Sequence, residues 1–236
     1  MAATPLAIAE YGDAAIMVTA QGGAERDRRL RIREFRERML ADLPPGVEDV
    51  VSGLESLLVE FDPLRTTSEQ VAYVLGVLSR AAPDRSGERS PGRRLVVPMV
   101  VTPETAPDLY EVAVEQGMAP DVVIERVESS ELTVSLLAAA MAPMMDGLDL
   151  PVPVRRRSTP RTDVPAGAVM IAGRNVIIQP FSGPSGWRVI GRTPLRIVDI
   201  ARTEPVSFRP GDVMAFGRID EEVAASQADR FLEVEP

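Results

Sequence analysis

The sequence predicts a small α+β domain at the N-terminus followed by a mostly-β barrel domain. Two strands and a helix occur twice within about the first 80 residues, an order that suggests an α+β sandwich. A connector rich in Pro, Gly and Ser follows, and short strands separated by sharp corners fill the last third of the chain. We therefore predict that the 236 residues form an α+β domain at 1–82, a linker at 83–93, a barrel domain at 94–220 and an acidic tail at 221–236.

The first strand pair and the first helix follow from the spacing of apolar residues. Residues 6–9 and 14–19 predict a hairpin, and residues 25–43 predict a helix because apolar side chains recur at intervals of three and four. These helical apolar positions are Ile32, Phe35, Met39 and Leu43. The helix is expected to end at Pro44-Pro45-Gly46, since proline lacks an N–H donor and glycine permits a turn.

A second strand pair, at residues 47–51 and 56–61, precedes a helix that begins at Ser68. One side of this helix carries Val71, Val74, Leu75 and Leu78. Residues 81–94 mix prolines, glycines and serines with charges, which is the composition of an exposed connector. The domain boundary is placed there.

The predicted barrel domain opens with an apolar strand at 95–101 that Pro98 interrupts. Two short helices, at 108–116 and 120–127, follow on either side of a capping glycine. From Glu131 onward the pattern becomes short strands and corners, as expected of a closed or nearly closed antiparallel barrel. The acidic tail carries few large apolar side chains, so we expect it either to dock on a domain or to be disordered.

Composition excludes several kinds of chemistry. Hydrophobic residues make up 45% of the chain and charged residues 26%, as in an ordinary globular protein. The absence of Cys and His excludes disulfides and thiolate chemistry, and it removes the commonest metal ligand and general base. The net charge of −9 argues against nucleic-acid binding, which depends on neutralising phosphates.

The arrangement of residues along the chain argues against a membrane-spanning, secreted, nucleotide-binding or metal-binding protein. No apolar run approaches the roughly 20 residues of a membrane span, and the N-terminus lacks the layout of a secretory signal, so we expect a cytoplasmic protein with no membrane partner. Gly22-Gly23 lacks the spacing of a nucleotide-binding loop, and the acidic residues lack that of a divalent site. We therefore expect no cofactor and no metal on this chain. The arginine-rich segment 26–38 alternates with glutamates and is expected to form a solvated helix face.

Prolines and glycines punctuate the last third of the chain at positions that helices and ordinary strands do not tolerate. Three segments predict sharp corners between short strands: Pro165-Ala166-Gly167, Gly183-Pro184-Ser185-Gly186 and Gly191-Arg192-Thr193-Pro194. Side chains near these corners could line one concave face. They are Arg161, Gln179, Ser185, Trp187, Arg188, Arg192 and Thr193.

These corner residues allow two interpretations. Arginine forks, neutral hydrogen-bonding groups and an indole platform are the groups that would hold a small acid or amide. Alternatively, the arginines pair with Asp163, Asp199 or Asp212 and pin the corners, while Trp187 belongs to the core.

The corners belong to three longer motifs: TPRxxVPAGxVxIAG at 159–173, QPxxxPxGWRVIGRTPL at 179–195, and Arg209-Pro210-Gly211-Asp212. Their order and spacing resemble the family of the 5-oxoprolinase B subunit, also described as allophanate hydrolase subunit 1 and as sporulation-kinase inhibitor. A weaker resemblance upstream extends the match to residues 11–219.

The resemblance implies that the second domain is a cyclophilin-like barrel. It also implies that the chain works with a homologous second barrel subunit, of the C type, and a metal-dependent partner in an ATP-dependent complex that opens 5-oxoproline to glutamate. ATP would then be bound through a partner subunit. The two barrel subunits resemble the carboxyltransferase part of biotin-dependent urea carboxylase, whose active site is shared, so this chain would contribute half a site.

The chain departs from the family pattern just before the corners. The family carries Gly-Phe-x-Pro-Gly-Phe-x-Tyr-Leu-Gly-Gly-Leu, whereas residues 137–148 read LAAAMAPMMDGL, so the aromatic wall is gone. A family histidine is replaced within Glu128-Ser129-Ser130, a serine after Pro-Ala-Gly is Ala168, and Ser-Pro-Gly-Gly-Trp has become GPSGW at 183–187. All four differences fall in segments that a ligand would contact.

The altered segment supplies further candidate residues. Met141, Met144 and Met145 could line a pocket for an apolar small molecule, since Met repacks readily, or they could fill the core. With no His available, Asp146 and Asp149 are the nearest candidates for acid–base catalysis, or they cap turns around the neighbouring glycine.

Three functions are compatible with the sequence. The first is a hydrolase component, of the B type, in a 5-oxoprolinase or allophanate-hydrolase-type hetero-oligomer that acts on a small lactam or amide. The second is a diverged stand-alone cyclophilin-like protein of specialised metabolism, either a cyclase-like enzyme or a binding protein for an apolar small molecule. The third is an interaction protein that inhibits a histidine kinase. The order of the motifs over most of the chain favours the first.

Overall fold

The structure is a computed structural model that describes residues 5–80 and 92–234. The chain divides into two compact units, Met1–Glu88 and Arg89–Pro236. Most of the linker predicted at 83–93 lies outside the described residues.

The first unit contains four strands and two helices in the order ββαββα. They are β1 Leu6–Glu10, β2 Ala15–Ala20, α1 Glu25–Ala41, β3 Val47–Ser52, β4 Ser56–Phe61 and α2 Ser68–Arg80. The strands form an antiparallel sheet in the order β1-β2-β4-β3. Every element lies within a few residues of its predicted position, because hydrophobic periodicity sets both the type of element and its buried face.

The core of the first unit lies between this sheet and the helices. Ile32, Phe35 and Met39 of α1 are buried, as the helical spacing predicts. Leu43 is an exception: α1 ends at Ala41, so Leu43 lies beyond the helix and is 42% exposed. The inward faces of β2 and β4 supply other large buried side chains, and these join the helical residues in one core.

The arginine-rich face of α1 is less solvated than expected. Arg31 is buried and donates from Nη2 to the carbonyl oxygen of Ser79 at 2.6 Å. Arg28 donates from Nε to Oε2 of Glu55 at 2.7 Å. The prediction of a wholly solvated face is wrong here because these long side chains can lie along the packed side of the helix and still reach a polar partner.

The second unit contains nine strands and three helices among the described residues. The bounds are β5 Arg94–Met99, α3 Leu109–Gln116, α4 Pro120–Ser129, β6 Leu132–Leu137, β7 Pro143–Asp146, β8 Arg161–Val164, β9 Ala168–Ala172, β10 Asn175–Ile178, β11 Gly183–Ser185, β12 Arg188–Arg192, β13 Val213–Arg218 and α5 Glu221–Ser226. A tight turn at Ala139–Met141 joins β6 to β7.

Seven of these strands form one sheet in the order β12-β9-β10-β7-β6-β13-β5. Its two outer strands meet, because Val100 and Arg192 exchange backbone hydrogen bonds of 2.8 and 3.0 Å. The sheet is therefore a nearly closed barrel. It is mixed rather than wholly antiparallel, since β5 pairs with β13 in parallel. The strictly antiparallel prediction is wrong at this pair because β5 and β13 come from opposite ends of the unit and no hairpin joins them.

The barrel has apolar side chains on both of its faces. Along β9, Val169 and Ile171 belong to the large inner cluster, whereas Met170 belongs to a smaller cluster on the outer face. The two-stranded ribbon β8–β11 contributes Val164 to that outer cluster, which also contains Trp187. Because successive side chains of a strand point to opposite faces of the sheet, Val164 and Trp187, which belong to the proline- and glycine-rich motifs, pack on the outer face of the barrel.

The acidic C-terminal segment is packed on the second unit as far as residue 234. Phe231 forms a bridge with Arg196, and Leu232 is buried in the inner cluster. Within residues 5–80 and 92–234, no helix combines the length and apolar character needed to cross a membrane.

Candidate functional site

The first of two corner sites surrounds Gly167, between β8 and β9. Gly167 donates its N–H to the carbonyl of Gln179 at 2.8 Å and accepts the N–H of Thr193 at 2.9 Å. Its φ is +81°, and a Cβ here would overlap the carbonyl oxygen of Thr193. Glycine is therefore required at this position, because the backbones of residues 167, 179 and 193 approach one another too closely to leave room for a side chain.

The Gly167 corner also fixes the side chain of Arg192. Arg192 donates from Nε to the carbonyl oxygen of Ala166 at 3.0 Å, and its side chain is exposed. Among the described residues no carboxylate forms an ion pair with it. The free edge of this guanidinium is thus available for an anionic or carbonyl ligand. Gln179, whose backbone carbonyl meets the same corner, is half-buried. Thr193 is buried, and its hydroxyl accepts the N–H of Leu195 at 3.3 Å.

The second corner site is organised by Asp108, the residue just before α3. Its carboxylate is fully buried and accepts hydrogen bonds from Nη1 of Arg157, from Nη2 of Arg161 at 2.8 Å and from the N–H of Val189 at 2.9 Å. The N–H of Asp108 in turn donates to the carbonyl of Val189 at 3.1 Å. One buried carboxylate therefore joins α3, β8 and β12.

Ser185 and Trp187 complete this second corner. Ser185 lies opposite Arg161 in the β8–β11 ribbon, and its hydroxyl accepts the N–H of Trp187 at 3.2 Å. The indole is 9% exposed and packs in the outer apolar cluster. Arg156 lies over the indole, 5.5 Å from the ring centre, which gives the face of Trp187 a cationic neighbour.

The corner arginines have different acidic partners from those considered in the sequence. Arg161 pairs with Asp108, and Arg188 pairs with Glu111. Asp212 instead binds Arg93, with Nη2 of Arg93 at 2.6 Å from Oδ2. The predicted partners are wrong for these two arginines because α3 packs beside β12, an arrangement that local sequence does not reveal.

The methionine candidates lie on different surfaces. Met145 is fully buried in the inner cluster, whereas Met144 packs against the outer cluster that contains Trp187. Met141 lies at the tip of the β6–β7 turn with φ of +62°, after Ala140 at +56°. Met144 and Trp187 are thus brought into one cluster, and Met145 would have to leave the core to contact a ligand.

The two aspartate candidates lie outside both corner sites. Asp149 pairs with Arg126 of α4 at 2.8 Å and its side chain is 76% exposed. Asp146 lies opposite Thr133 in the β6–β7 pair and is half-buried. Within the described part of the chain, no cluster of three or more carboxylates is arranged to hold a metal ion.

Two open depressions are present on the second unit. The first, of about 310 Å³, is lined by Tyr110, Glu111, Val114, Glu115, Arg155 and Arg188. The second, of about 170 Å³, lies near Arg202 and Phe231. Of the corner residues, Arg188 alone lines either depression.

Sequence reasoning missed Asp108, Arg157 and Glu111. Asp108 follows a proline at the predicted start of a helix, a position where a carboxylate normally caps the helix. In the structure it makes no such cap and instead binds the two arginines. The cluster Arg155-Arg156-Arg157 marks a strongly basic segment in the sequence, but nothing in it indicates that Arg157 binds a buried carboxylate.

Comparison with known proteins identifies similar sequences and folds. Residues 6–208 match the family described as carboxyltransferase domain, subdomain C and D. The 5-oxoprolinase B subunit of Bacillus subtilis (strain 168) is 37% identical over 131 residues, which are 55% of this chain and 55% of that protein. The 5-oxoprolinase B subunit of Escherichia coli O157:H7 is 30% identical over 206 residues, which are 87% of this chain and 92% of that protein.

A solved structure shows the same fold in a larger protein. The crystal structure of Kluyveromyces lactis urea carboxylase superposes with a TM-score of 0.76 at 17% identity, covering 100% of this chain and 24% of that one. The match thus spans about half the length of the Bacillus subtilis relative (55%) and about a quarter of the urea carboxylase chain (24%).

Proposed function

Because this chain belongs to the family of the 5-oxoprolinase B subunit, we propose that it is a component of a 5-oxoprolinase-type complex that acts on a small lactam or amide. The proposed complex also contains a homologous second barrel subunit, together with a metal-dependent subunit that binds ATP. This chain would bind no cofactor itself and would contribute one half of a shared site on its cyclophilin-like barrel.

The observation that carries this proposal is the geometry of the Gly167 corner. The family motif residues Gln179, Arg192 and Thr193 meet there through the backbone of Ala166 and Gly167. A corner that requires glycine and fixes an exposed guanidinium is a preorganised recognition element. It supports retention of the binding role in spite of the altered segment at 137–148.

The chemistry of the corner fits the proposed substrate class. The fixed fork of Arg192 can receive a carboxylate in a bidentate manner, and the side-chain amide of Gln179 can donate to a lactam carbonyl or accept its N–H. Neither group can act as a strong base, so the proton transfers and the activation of the carbonyl are assigned to the partner subunits. The exposure of Arg192 suits a site that a second protein completes.

The experiment is a reconstitution of the three components from one genome. We expect ATP hydrolysis that depends on 5-oxoproline and yields glutamate, and we expect Arg192→Ala to lower kcat/KM by about a hundredfold, as for the loss of a charge-assisted hydrogen bond to substrate. The exposed Arg230→Ala is the matched control and should retain full activity. No 5-oxoproline-dependent turnover with the wild-type chain would refute the proposal.

A further inference from the structure

The carbonyl group that holds the side chain of Arg192 belongs to a tight β-turn. The N–H of Ala168 closes this turn by donating to the carbonyl of Pro165 at 3.3 Å. Gly167 occupies the third position with φ of +81°, as in a type II turn. The carbonyl of the central peptide is that of Ala166, which accepts Nε of Arg192 at 3.0 Å. The direction of this one carbonyl therefore decides where the guanidinium lies.

The glycine in this turn does not by itself fix the direction of the carbonyl. Glycine adopts positive and negative φ about equally readily, so a type II turn can change to type I when its central peptide turns over, which would point the Ala166 carbonyl away from Arg192. The N–H of Gly167, on the same central peptide, is held by the carbonyl of Gln179 at 2.8 Å. The preceding peptide, which links Pro165 to Ala166, is restrained by a different group.

Ser182 supplies that second restraint. Its hydroxyl oxygen accepts the N–H of Ala166 at 3.3 Å, and its side chain is exposed. The backbone on either side of Ser182 is ordered: the N–H of Gln179, three residues earlier, donates to the carbonyl of Ala168 at 2.9 Å, and the following residue, Gly183, begins β11 and pairs with β8. The ordered backbone of this short loop therefore directs the hydroxyl of Ser182 at the turn.

The geometry of Arg192 defines what this arrangement can bind. Its backbone is fixed where the barrel closes, since its N–H and carbonyl both bond to the backbone of Val100, at 3.0 and 2.8 Å. Because Nε donates to Ala166, the terminal nitrogens Nη1 and Nη2 remain for a ligand, and they present two parallel N–H groups. A carboxylate fits such a pair in a bidentate manner. In the ranges 5–80 and 92–234, no carboxylate of the chain is paired with this guanidinium.

We propose that Ser182 is a positioning residue for the recognition of a carboxylate by Arg192. It holds the turn whose Ala166 carbonyl directs the terminal edge of Arg192 toward the ligand, and it does not itself contact the carboxylate. The proposal rests on the proposed function, in which Arg192 binds the substrate. Because the hydrogen bond to Ser182 is long and exposed, it directs the turn while adding little to stability, so Ser182→Ala should melt at the same temperature as the wild type.

The first test follows the Nε–H group of Arg192 by heteronuclear NMR of the full chain. The signal is assigned by its loss in Arg192→Ala. Ser182→Ala should speed the hydrogen exchange of this N–H by at least about threefold, whereas Ser182→Thr, which keeps the hydroxyl, should restore the slower rate. Ser226→Ala is the control, because Ser226 is also exposed and its hydroxyl also bonds one backbone group, the carbonyl of Val223 at 2.6 Å. Unchanged exchange in Ser182→Ala would overturn the proposal.

The second test measures kinetics of the reconstituted complex with 5-oxoproline. We expect Ser182→Ala to raise KM by about threefold to tenfold with kcat nearly unchanged, because a less well oriented guanidinium weakens the binding of substrate and of transition state alike. In an Arg192→Ala background the same substitution should have no further effect, since Ser182 acts through Arg192. Ser182→Thr should return KM to the wild-type value.

The outcomes distinguish this proposal from the proposed function. Absence of 5-oxoproline-dependent turnover with the wild-type chain refutes the proposed function, and the NMR comparison then decides whether Ser182 fixes Arg192. Normal turnover with an unchanged KM in Ser182→Ala overturns the positioning role alone. An equal loss of kcat/KM in the wild-type and Arg192→Ala backgrounds indicates a general structural effect and overturns that role as well.

Discussion

Asp108 lies where the sequence predicts the start of a helix, yet its carboxylate does not cap that helix. It is buried and binds Arg157, Arg161 and the backbone of Val189. A helix start with a preceding proline could be predicted from local sequence, and the structure begins α3 one residue later. The tertiary partners could not be predicted, because they lie 49 to 81 residues away along the chain.

Removing this carboxylate should destabilise the second unit. Asp108→Ala leaves two part-buried guanidinium groups and one buried N–H without their acceptor, so we expect the free energy of unfolding to fall by about 3 kcal/mol. The control is Asp149→Ala, which breaks an exposed ion pair and should cost less than about 1 kcal/mol. Urea denaturation measures both values. Equal losses in the two variants would contradict the role assigned to Asp108.

The Arg28–Glu55 pair gives the first unit a pH-dependent stability. The hydrogen bond from Arg28 is the largest cause that lowers the pKa of Glu55 below its ordinary value of about 4.3. Because the pKa is lower in the folded state, the pair stabilises the fold above pH of about 4.3, and this contribution is lost as the pH falls through the folded pKa.

Arg28→Gln should therefore reduce stability at pH 7, and the difference from the wild type should shrink as the pH falls below about 4. Urea unfolding of both proteins across this pH range measures the difference. Glu48→Gln, at an exposed position of β3, is the control. A difference that does not change with pH would contradict the pairing.

At the scale of elements, the β6–β7 turn has a backbone conformation that its residues, Ala140 and Met141, do not favour. Ala140 and Met141 both have positive φ, at 56° and 62°, and the N–H of Ala142 donates to the carbonyl of Ala139 at 3.2 Å. This is the geometry of a two-residue hairpin turn that usually contains Asn-Gly. Neither alanine nor methionine has the freedom of glycine in this left-handed region, so the backbone conformation is costly for both residues. Nothing in the local sequence predicts this turn.

Restoring turn residues should stabilise the protein. We expect Ala140→Asn to raise the free energy of unfolding by about 1 kcal/mol, because a left-handed conformation is costly for most side chains. Met141→Gly should raise it by less, since it also removes the packing of Met141 against the inner cluster. Ala139→Gly, next to the turn and without positive φ, should instead lower it by about 0.5–1 kcal/mol. Thermal denaturation checks the signs. A stabilising Ala139→Gly would show that the effect is unrelated to the turn.

The Pro-Ala-Gly sequence predicts a corner at Gly167. It does not predict that the segments containing Gln179 and Thr193 meet there. Its positive φ and its contact with the backbone of Thr193 both forbid a side chain. Gly191 has a related role in closing the barrel, since a Cβ there would lie 2.5 Å from Sδ of Met99. Proline and glycine in the sequence thus predict where the chain turns. Which of these turns lie close together depends on tertiary packing, which the local sequence does not reveal.

Gly167→Ala should lower the free energy of unfolding by about 2 kcal/mol or more, through strain and overlap at the corner. Gly217→Ala on β13 is the matched control, because nothing lies within 4 Å of a Cβ at that position, and we expect a change below about 1 kcal/mol. Denaturant unfolding compares the two. A Gly167→Ala variant as stable as Gly217→Ala would show that the corner tolerates a side chain.

At the scale of the whole molecule, the order of the elements and the presence of a barrel could be predicted from hydrophobic periodicity and from the prolines and glycines at corners. The parallel pairing of β5 with β13 could not. That pair joins residues more than 110 positions apart, and its register is set by the closed sheet rather than by any hairpin. The resulting barrel presents the exposed side chain of Arg192 at one corner.

The most direct test of this account is an add-back titration. The other two components of the complex are held constant, the purified chain is added in increasing amounts, and glutamate formed from 5-oxoproline is measured together with the ATP hydrolysed. We predict no coupled turnover without the chain and a rise that reaches its plateau when the chain is equimolar with the second barrel subunit. Coupled turnover that is unchanged by the chain, or absent at every ratio, would contradict the claim that this barrel forms part of a lactam-opening complex.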